Sequence, residues 1–389
     1  MDLDIKDRLL WKFRNLIRQQ PGEAALGAAA EPIIVAGLFS VASGIGQSAR
    51  MCADALEVGG FEVTRLDLSA GFGQGDLEDK PGLPDRAPKT GGTLILHLNG
   101  PETERGLFLA RVLRGSRRKL IGAWVWELPC PPPGWGPASE MLDEIWVPSA
   151  FVKKAITPIC RCPVRVVPYV LGDLSCMPLA LPSDTVSVLV MGDGLSSFSR
   201  KNVVGSIKAF KLARLPERVR LIVKTRNLMA CPELGEEILS HAGDDPRINL
   251  TDEVLSRRAH LELLQGCDIF MSLHRAEGFG LVIAEAMALG KAVIATNWSA
   301  NAEFMDERSS VPVPSRQVPI NEPAGVYGGI TGAVWAEPDI RYAAEALSQL
   351  ASDPARRARM GEAAKARVSN FTSGKVYAEA LGLVSGAAR

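Results

Sequence analysis

The sequence predicts an α/β protein built from two domains. Its 389 residues exceed what one ordinary hydrophobic core encloses. Apolar strand-like runs alternate with helical stretches through both halves, the pattern of parallel sheets assembled from βαβ units. A segment with two prolines and no periodicity, "LGDLSCMPLALPSDT" at residues 171–185, falls near the middle and reads as the joint. Two such halves facing each other leave a cleft, the usual ligand position in this architecture.

The chain opens with "MDLDIKDRLLWKFRNLIRQQ" (residues 1–20), in which Leu9, Leu10, Phe13, Leu16 and Ile17 recur at helical spacing beside Lys6, Arg8, Lys12, Arg14 and Arg18. Such an amphipathic helix suits an anionic membrane surface, and equally an arm packed on its own domain or on a second subunit. Oligomeric state stays open at this point. Residues 21–172 form the expected first domain, with strands in "EPIIVAGLF", "FEVTRLDLS", "TLILHLN", "KLIGAWVW", "DEIWVPS" and "VRVVPYV". Its Gly-, Pro- and Asp-rich stretch 71–92 reads as a long loop. After a linker at 173–185, a second domain is expected over 186–370. Its strands lie in "VSVLVMGD", "VRLIVKTRN", "CDIFMSLH" and "KAVIATNW", with helices in "KNVVGSIKAFKLAR" and "LVIAEAMALG". A last helix within 371–389 is expected to pack back toward the first domain.

Forty-four basic residues balance forty-four acidic ones, so net charge offers no sequence-independent grip on nucleic acid. Seven scattered cysteines, with no secretory signal ahead of them, fit a reducing cytoplasm. Cys160 and Cys162 form the one close pair, and without a second cluster at ligand spacing no metal is assigned to them. No apolar stretch is long enough to span a bilayer.

Two stretches carry chemistry. In "VAGLFSVASGIGQSAR" (residues 35–50) Gly37, Gly44 and Gly46 punctuate a strand-to-helix turn of the kind that brings backbone N–H groups to a phosphate. Gly44-Ile45-Gly46 has the look of a dinucleotide fingerprint, but Gly37 lies too far ahead of Gly44 for the short-chain dehydrogenase pattern. None of Tyr169, Tyr327, Tyr342 and Tyr377 has the lysine one helical turn on that such an oxidoreductase uses.

In "SLHRAEGFGLVIAEAMALGKAVIATNWSANAEFM" (residues 272–305) a buried strand ends near His274. A loop with Glu277, Gly278, Phe279 and Gly280 leads into a helix that starts near Leu281. Seven residues separate Glu277 from Glu285, one turn into that helix. The glycines let backbone approach a ligand, and the free N–H groups of the helix start can hold sugar hydroxyls or phosphate oxygens. Solvated helix charges are the alternative use of the two carboxylates.

This block closely resembles the retaining family 4 glycosyltransferases of the GT-B fold, in the bacterial polysaccharide-type branch. "GAWVWELP", "DEIWVPSAFV", "SRKNVVGSIKAF", "IVKTRN" and "WAEPD" resemble further blocks of that family, and the resemblance runs over about residues 32–370. It implies two Rossmann-like domains across a deep cleft. It also implies transfer of a hexose from GDP-mannose or a UDP-sugar to a saccharide or lipid-linked saccharide; if the helix over 1–20 meets a membrane, the protein is expected at its cytoplasmic face, and otherwise in the cytoplasm.

By the same resemblance Glu277, Arg200 and Lys201 are catalytic. Gly44, Gly46, Lys224, His274, Gly278, Phe279, Gly280, Leu281 and Glu285 hold the donor, with Glu285 on the ribose hydroxyls. His97, Asn99, Trp126 and Glu127 are the acceptor contacts. A lone His is more often structural. Trp124, Trp126, Trp135 and Trp146 are as readily a packed cluster as a sugar platform. The nucleotide sugar is a substrate, and neither a cofactor nor a metal is implied. The competing function is a non-catalytic sugar-nucleotide-binding partner subunit in a glycosyltransferase complex.

Overall fold

The structure, a computed structural model, describes all residues except 1–28, 76–90, 113–117, 183, 195, 229–231, 321, 323–325, 374 and 384–389. The helix expected over 1–20 and most of the loop expected over 71–92 therefore lie outside the described residues.

The described residues divide into two compact units. The first takes in residues up to 126, 130–172 and from 371 onward; the second takes in 127–129 and 173–370. Among the described residues no helix is long and apolar enough to cross a membrane.

The first unit is a six-stranded sheet with flanking helices. Its strands are β1 (Ile33–Gly37), β2 (Val63–Asp67), β3 (Thr93–His97), β4 (Lys119–Ala123), β5 (Glu144–Val147) and β6 (Val164–Val166). They are ordered β2-β1-β3-β4-β5-β6, and every pair is parallel. β1 and β3 are buried along their whole length, which is why both read as continuous apolar runs. The helices are α1 (Gly44–Val58), α2 (Gly100–Leu109), α3 (Ala150–Ile156) and, from the chain's last part, α11 (Lys375–Leu381). Tyr377 and Leu381 of α11 enter the same core as Ile33, Val35, Ile95, Cys52 and Leu56, and the Tyr377 ring stacks on Trp146 with centroids 6.0 Å apart.

The second unit repeats the plan. Its sheet is made of β7 (Val186–Met191), β8 (Val219–Thr225), β9 (Ile248–Asp252), β10 (Ile269–Ser272), β11 (Ala292–Thr296) and β12 (Val311–Val313). The order is β12-β11-β10-β7-β8-β9, again all parallel. Its helices are α4 (Phe198–Lys201), α5 (Val203–Leu212), α6 (Pro232–Ala242), α7 (Arg257–Gly266), α8 (Leu281–Ala288), α9 (Ile340–Ser352) and α10 (Pro354–Arg367). An antiparallel hairpin, β13 (Ser315–Pro319) with β14 (Val334–Pro338), stands apart from the sheet.

All ten strands expected from the sequence are present. Four more, β9, β12, β13 and β14, went unexpected. β9 and β12 are edge strands, the first half-exposed and the second only three residues long around Pro312, while β13 is largely solvent-facing. None of these has the apolar run that marks a buried strand. The helix expected as one piece in "KNVVGSIKAFKLAR" is broken at Asn202, which adopts a left-handed conformation (φ 50°, ψ 46°).

Both sheets reverse their winding once. In the first sheet the reversal lies between β1 and β3, where Gly37 pairs with His97. In the second it lies between β7 and β10, where Val188 pairs with Ile269. Open α/β sheets bind ligands outside the carboxyl ends of the strands that flank such a switch point. The two chemistry-bearing stretches of the sequence are the segments that leave those strands.

Candidate functional site

After β7 the chain turns into α4, a single helical turn that carries Arg200 and Lys201. Asn202 then ends it: its Oδ1 accepts from the Gly205 N–H to cap α5, and its Nδ2 donates to the Leu273 carbonyl at 2.8 Å. That second bond ties α4 to the segment leaving β10. Arg275 strengthens the tie. Its N–H meets the Arg200 carbonyl at 2.7 Å, its Nη1 the Ser199 carbonyl at 2.6 Å, and its Nε the Glu337 carboxylate at 2.7 Å.

This bracing brings both α4 cations to Glu277. Lys201 Nζ lies 2.5 Å and Arg200 Nη1 3.2 Å from Glu277 Oε1. Arg200 also donates to the Ala276 carbonyl at 2.9 Å, while its Nε is buried without a partner. Among the described residues, no group meets Glu277 Oε2.

Burial alone would raise the Glu277 carboxyl, but Lys201 and Arg200 outweigh it and hold it at about 2. Burial opposes the Arg200 charge too, and the carboxylates of Glu277 and Glu127 overcome that opposition and raise it. Tyr327, itself buried, donates its hydroxyl to Glu127 Oε2 at 3.0 Å. Burial pushes that phenol well above its ordinary range.

The loop between Glu277 and α8 is set by two unusual backbone positions. Gly280 is left-handed at φ 85°, and an added Cβ there would press on Asn301 Cβ. Ser299, at φ 66° and ψ −149°, occupies a region that is almost reserved for glycine. Its hydroxyl accepts the Glu277 N–H at 2.8 Å and donates to the Trp298 carbonyl at 2.6 Å. The strained residue therefore fixes the backbone of the central carboxylate.

Some expected site residues take other roles. His274 is fully buried, its Nε2 2.9 Å from Asn301 Oδ1, and braces the loop from inside. The Phe279 side chain is 4% exposed and packs on Phe304, which leaves its backbone as the part of it that a ligand could meet. Lys224 turns its Nζ onto the Thr225 and Glu253 carbonyls and makes no ion pair with Glu277.

Glu285 is fully buried with both oxygens engaged. Arg257 Nη1 lies 2.6 Å from Oε1 and His260 Nε2 3.0 Å from Oε2. Burial opposes its ionisation, and Arg257 with His260 lowers its pKa despite that. Gly278 is buried and Leu281 half-buried at the start of α8.

In the first unit, an added Cβ at Gly46 would collide with the Leu38 and Val41 carbonyls, and the Gly46 N–H is capped by Ser43 Oγ at 3.1 Å. Its glycine is required by the turn itself. Gly44, by contrast, faces open space. His97 is 2% exposed at the end of β3, and burial lowers its pKa to about 3. Asn99 Oδ1 accepts the Val125 N–H at 2.8 Å. Trp126, expected on the acceptor, is buried instead: its indole N–H meets the Cys130 carbonyl at 2.7 Å and its ring lies 5.3 Å edge-on from Trp135.

Tyr327, Arg257, His260 and Ser299 carry no motif of their own and were missed. Each acts through a contact made in three dimensions, and a helix-start Arg-Arg-Ala-His run at 257–260 was the one available signal.

Residues 196–367 match the family model described as Glycosyl transferases group 1. No curated protein sequence matches the chain. Sucrose-phosphate synthase from Thermosynechococcus elongatus is 16% identical with a TM-score of 0.63, over 91% of this chain and 98% of that one. Anabaena HepE, solved with UDP and glucose, is 14% identical with a TM-score of 0.61, over 90% and 99%. A variant of S. aureus TarM, solved with Fondaparinux, alpha-GlcNAc-glycerol and UDP, is 12% identical with a TM-score of 0.54 over 76% of this chain. The chain spans 55% of the length of that protein. At these identities the likeness is one of fold. The chain thus has the two-sheet α/β fold of GT-B glycosyltransferases, and its residues 196–367 match Glycosyl transferases group 1.

Proposed function

We propose that the chain is a retaining glycosyltransferase of family 4. In this reading it moves a hexose from a nucleotide-diphosphate sugar, GDP-mannose or a UDP-sugar, to a hydroxyl of a saccharide or lipid-linked saccharide in cell-surface polysaccharide synthesis. The observation that carries this reading is the meeting of Arg200 and Lys201 on Glu277 at the switch point of the second sheet, inside the matched stretch. The UDP held by HepE and by TarM supports a nucleotide-diphosphate donor. The retaining outcome rests on the resemblance of the Glu277 and Glu285 block to family 4.

In that reaction the bond from the anomeric carbon to the phosphate oxygen breaks, and a bond to the acceptor oxygen forms on the same face. The departing phosphate takes the acceptor's proton. Arg200 Nε, a buried donor without a partner, is placed to give its proton to a phosphate oxygen in a hydrogen bond, and Lys201 adds a second charge. Charge fixed in advance where negative charge develops is the largest single contribution in many enzymes. Glu277 Oε2 is the oxygen left for a sugar hydroxyl, and the N–H groups of the first turn of α8 suit the remaining phosphate or hydroxyl oxygens. We assign Gly44 and Asn99 to ligand contact in the first unit. Residues 1–20, with their apolar and basic faces, suit contact with the cytoplasmic face of a membrane.

Thermal shift with UDP-, GDP- and ADP-sugars tests the donor. A ligand at a hundred times its Kd stabilises by about 2.7 kcal/mol. One nucleotide class should raise the melting temperature, and the absence of a shift with every one of them counts against the reading.

A further inference from the structure

Inside the first unit, His97, Trp124, Trp146, Tyr169 and Tyr377 line a cavity of about 10 Å³. That volume is close to what one water needs. His97 Nε2 is buried without a partner, and the Tyr377 hydroxyl, which the Val170 N–H approaches, has no acceptor for its own proton. The two indoles of the wall are already spent, Trp124 Nε1 on Thr103 Oγ1 and Trp146 Nε1 on Glu144 Oε1.

The His97 tautomer follows from its neighbour. Ser48 Oγ lies 2.7 Å from the Ile45 carbonyl, which can only accept, so the single hydroxyl proton of Ser48 points there. Ser48 Oγ is also 2.9 Å from His97 Nδ1. With its proton used, the hydroxyl accepts, and Nδ1 carries the hydrogen. Nε2 is then a bare lone pair on a residue that lines the cavity. The Tyr377 hydroxyl supplies a donor on the same cavity, and a buried lone pair and a buried O–H left apart would each cost about 1–3 kcal/mol.

We propose that this cavity binds one ordered water between the Tyr377 hydroxyl and His97 Nε2, which makes Tyr377 a positioning residue for the Gly44–Gly46 turn. The water accepts from Tyr377 and donates to Nε2, Nδ1 donates to Ser48, and Ser48 donates to Ile45 within the turn. A side chain on the chain's last described helix is thereby connected to the glycine turn at the first sheet's switch point. Burial of the imidazole, which lowers its pKa to about 3, keeps it in the neutral form this chain of bonds needs. Tyr169 and Tyr377 are the other titratable groups on the cavity wall.

The proposal stands apart from the transferase reading. A high-resolution crystal structure of the unaltered protein should show a water within hydrogen-bond distance of both atoms. An empty cavity, or a direct bond between Tyr377 and His97, would overturn the proposal. Long-range nitrogen–proton NMR should find His97 as the neutral Nδ1–H form from roughly pH 5 to 8. An Nε2–H form, or protonation within that range, would also overturn it. In Tyr377→Phe the water should be lost and amide exchange across residues 44–48 should quicken several-fold while the rest of the sheet keeps its protection. Unchanged exchange there refutes the positioning role. Should Tyr377→Phe fail to fold, the crystal structure and the His97 tautomer of the unaltered protein decide the proposal by the outcomes already given.

Discussion

Lys201 Nζ and Glu277 Oε1 lie 2.5 Å apart across 76 residues of sequence, with Arg200 on the same oxygen. The contact joins the segments that leave the two central strands of the second sheet. Two cations share one buried carboxylate oxygen, while the other oxygen and Arg200 Nε have no partner among the described residues.

That arrangement predicts an acid dependence. The folded-state carboxyl of Glu277 is depressed from 4.5 to about 2. Its stabilising contribution is therefore full above about pH 4.5 and is lost as pH falls toward 2. Glu277→Gln should lower stability at neutral pH and flatten the fall in stability across that window. Denaturant melts at a series of pH values measure both. Parallel curves for the two proteins would mean that Glu277 is not held as a carboxylate.

Arg200→Ala and Lys201→Ala should each slow turnover more than they weaken donor binding, because the charge they meet develops as the diphosphate leaves. For one well-placed donor of this kind the expected loss in kcat is about 10²–10³-fold. Steady-state kinetics separates the two effects. A rise in KM with kcat intact would make the pair a ground-state anchor.

Glu285→Ala should cost stability as well as donor affinity. It removes the partner of Arg257 and His260, and a charge-assisted hydrogen bond of this kind is worth about 1.5–3 kcal/mol. Calorimetry and donor titration read the two losses separately. An unchanged melting temperature would show that Arg257 and His260 do not depend on this carboxylate.

On the proposed reading, in which Arg200 and Lys201 supply the positive charge for the departing diphosphate, transfer should persist in excess EDTA. Activity lost on chelation and restored by magnesium or manganese would assign that charge to a metal instead.

Much of the fold was legible because buried parallel strands print themselves as apolar runs. The strands around the two switch points, β1, β3, β7 and β10, are of that kind. The Glu277 loop was legible because its glycines interrupt such a run just where a helix begins. What escaped depends on partners far along the chain. The Tyr327–Glu127 bond spans 200 residues, and the Arg257 and His260 contacts to Glu285 span 28 and 25.

Nothing local marks those pairs. The break at Asn202 escaped for a different reason. A helix-forming stretch hides one left-handed residue when the cap that holds it, here the Leu273 carbonyl, lies 71 residues on. His97 and Trp126 carry chemistry that suits a sugar, yet both side chains are buried, His97 at the end of β3 and Trp126 against Trp135, a placement made by packing rather than by residue type.

The most direct test is to incubate the unaltered protein with each nucleotide sugar and a saccharide acceptor, and to follow nucleoside diphosphate release and the new linkage by NMR. The account predicts release coupled to a glycosidic bond of the donor's own anomeric configuration, abolished in Glu277→Ala. Nucleotide-sugar binding without release, or release that Glu277→Ala leaves intact, would contradict it.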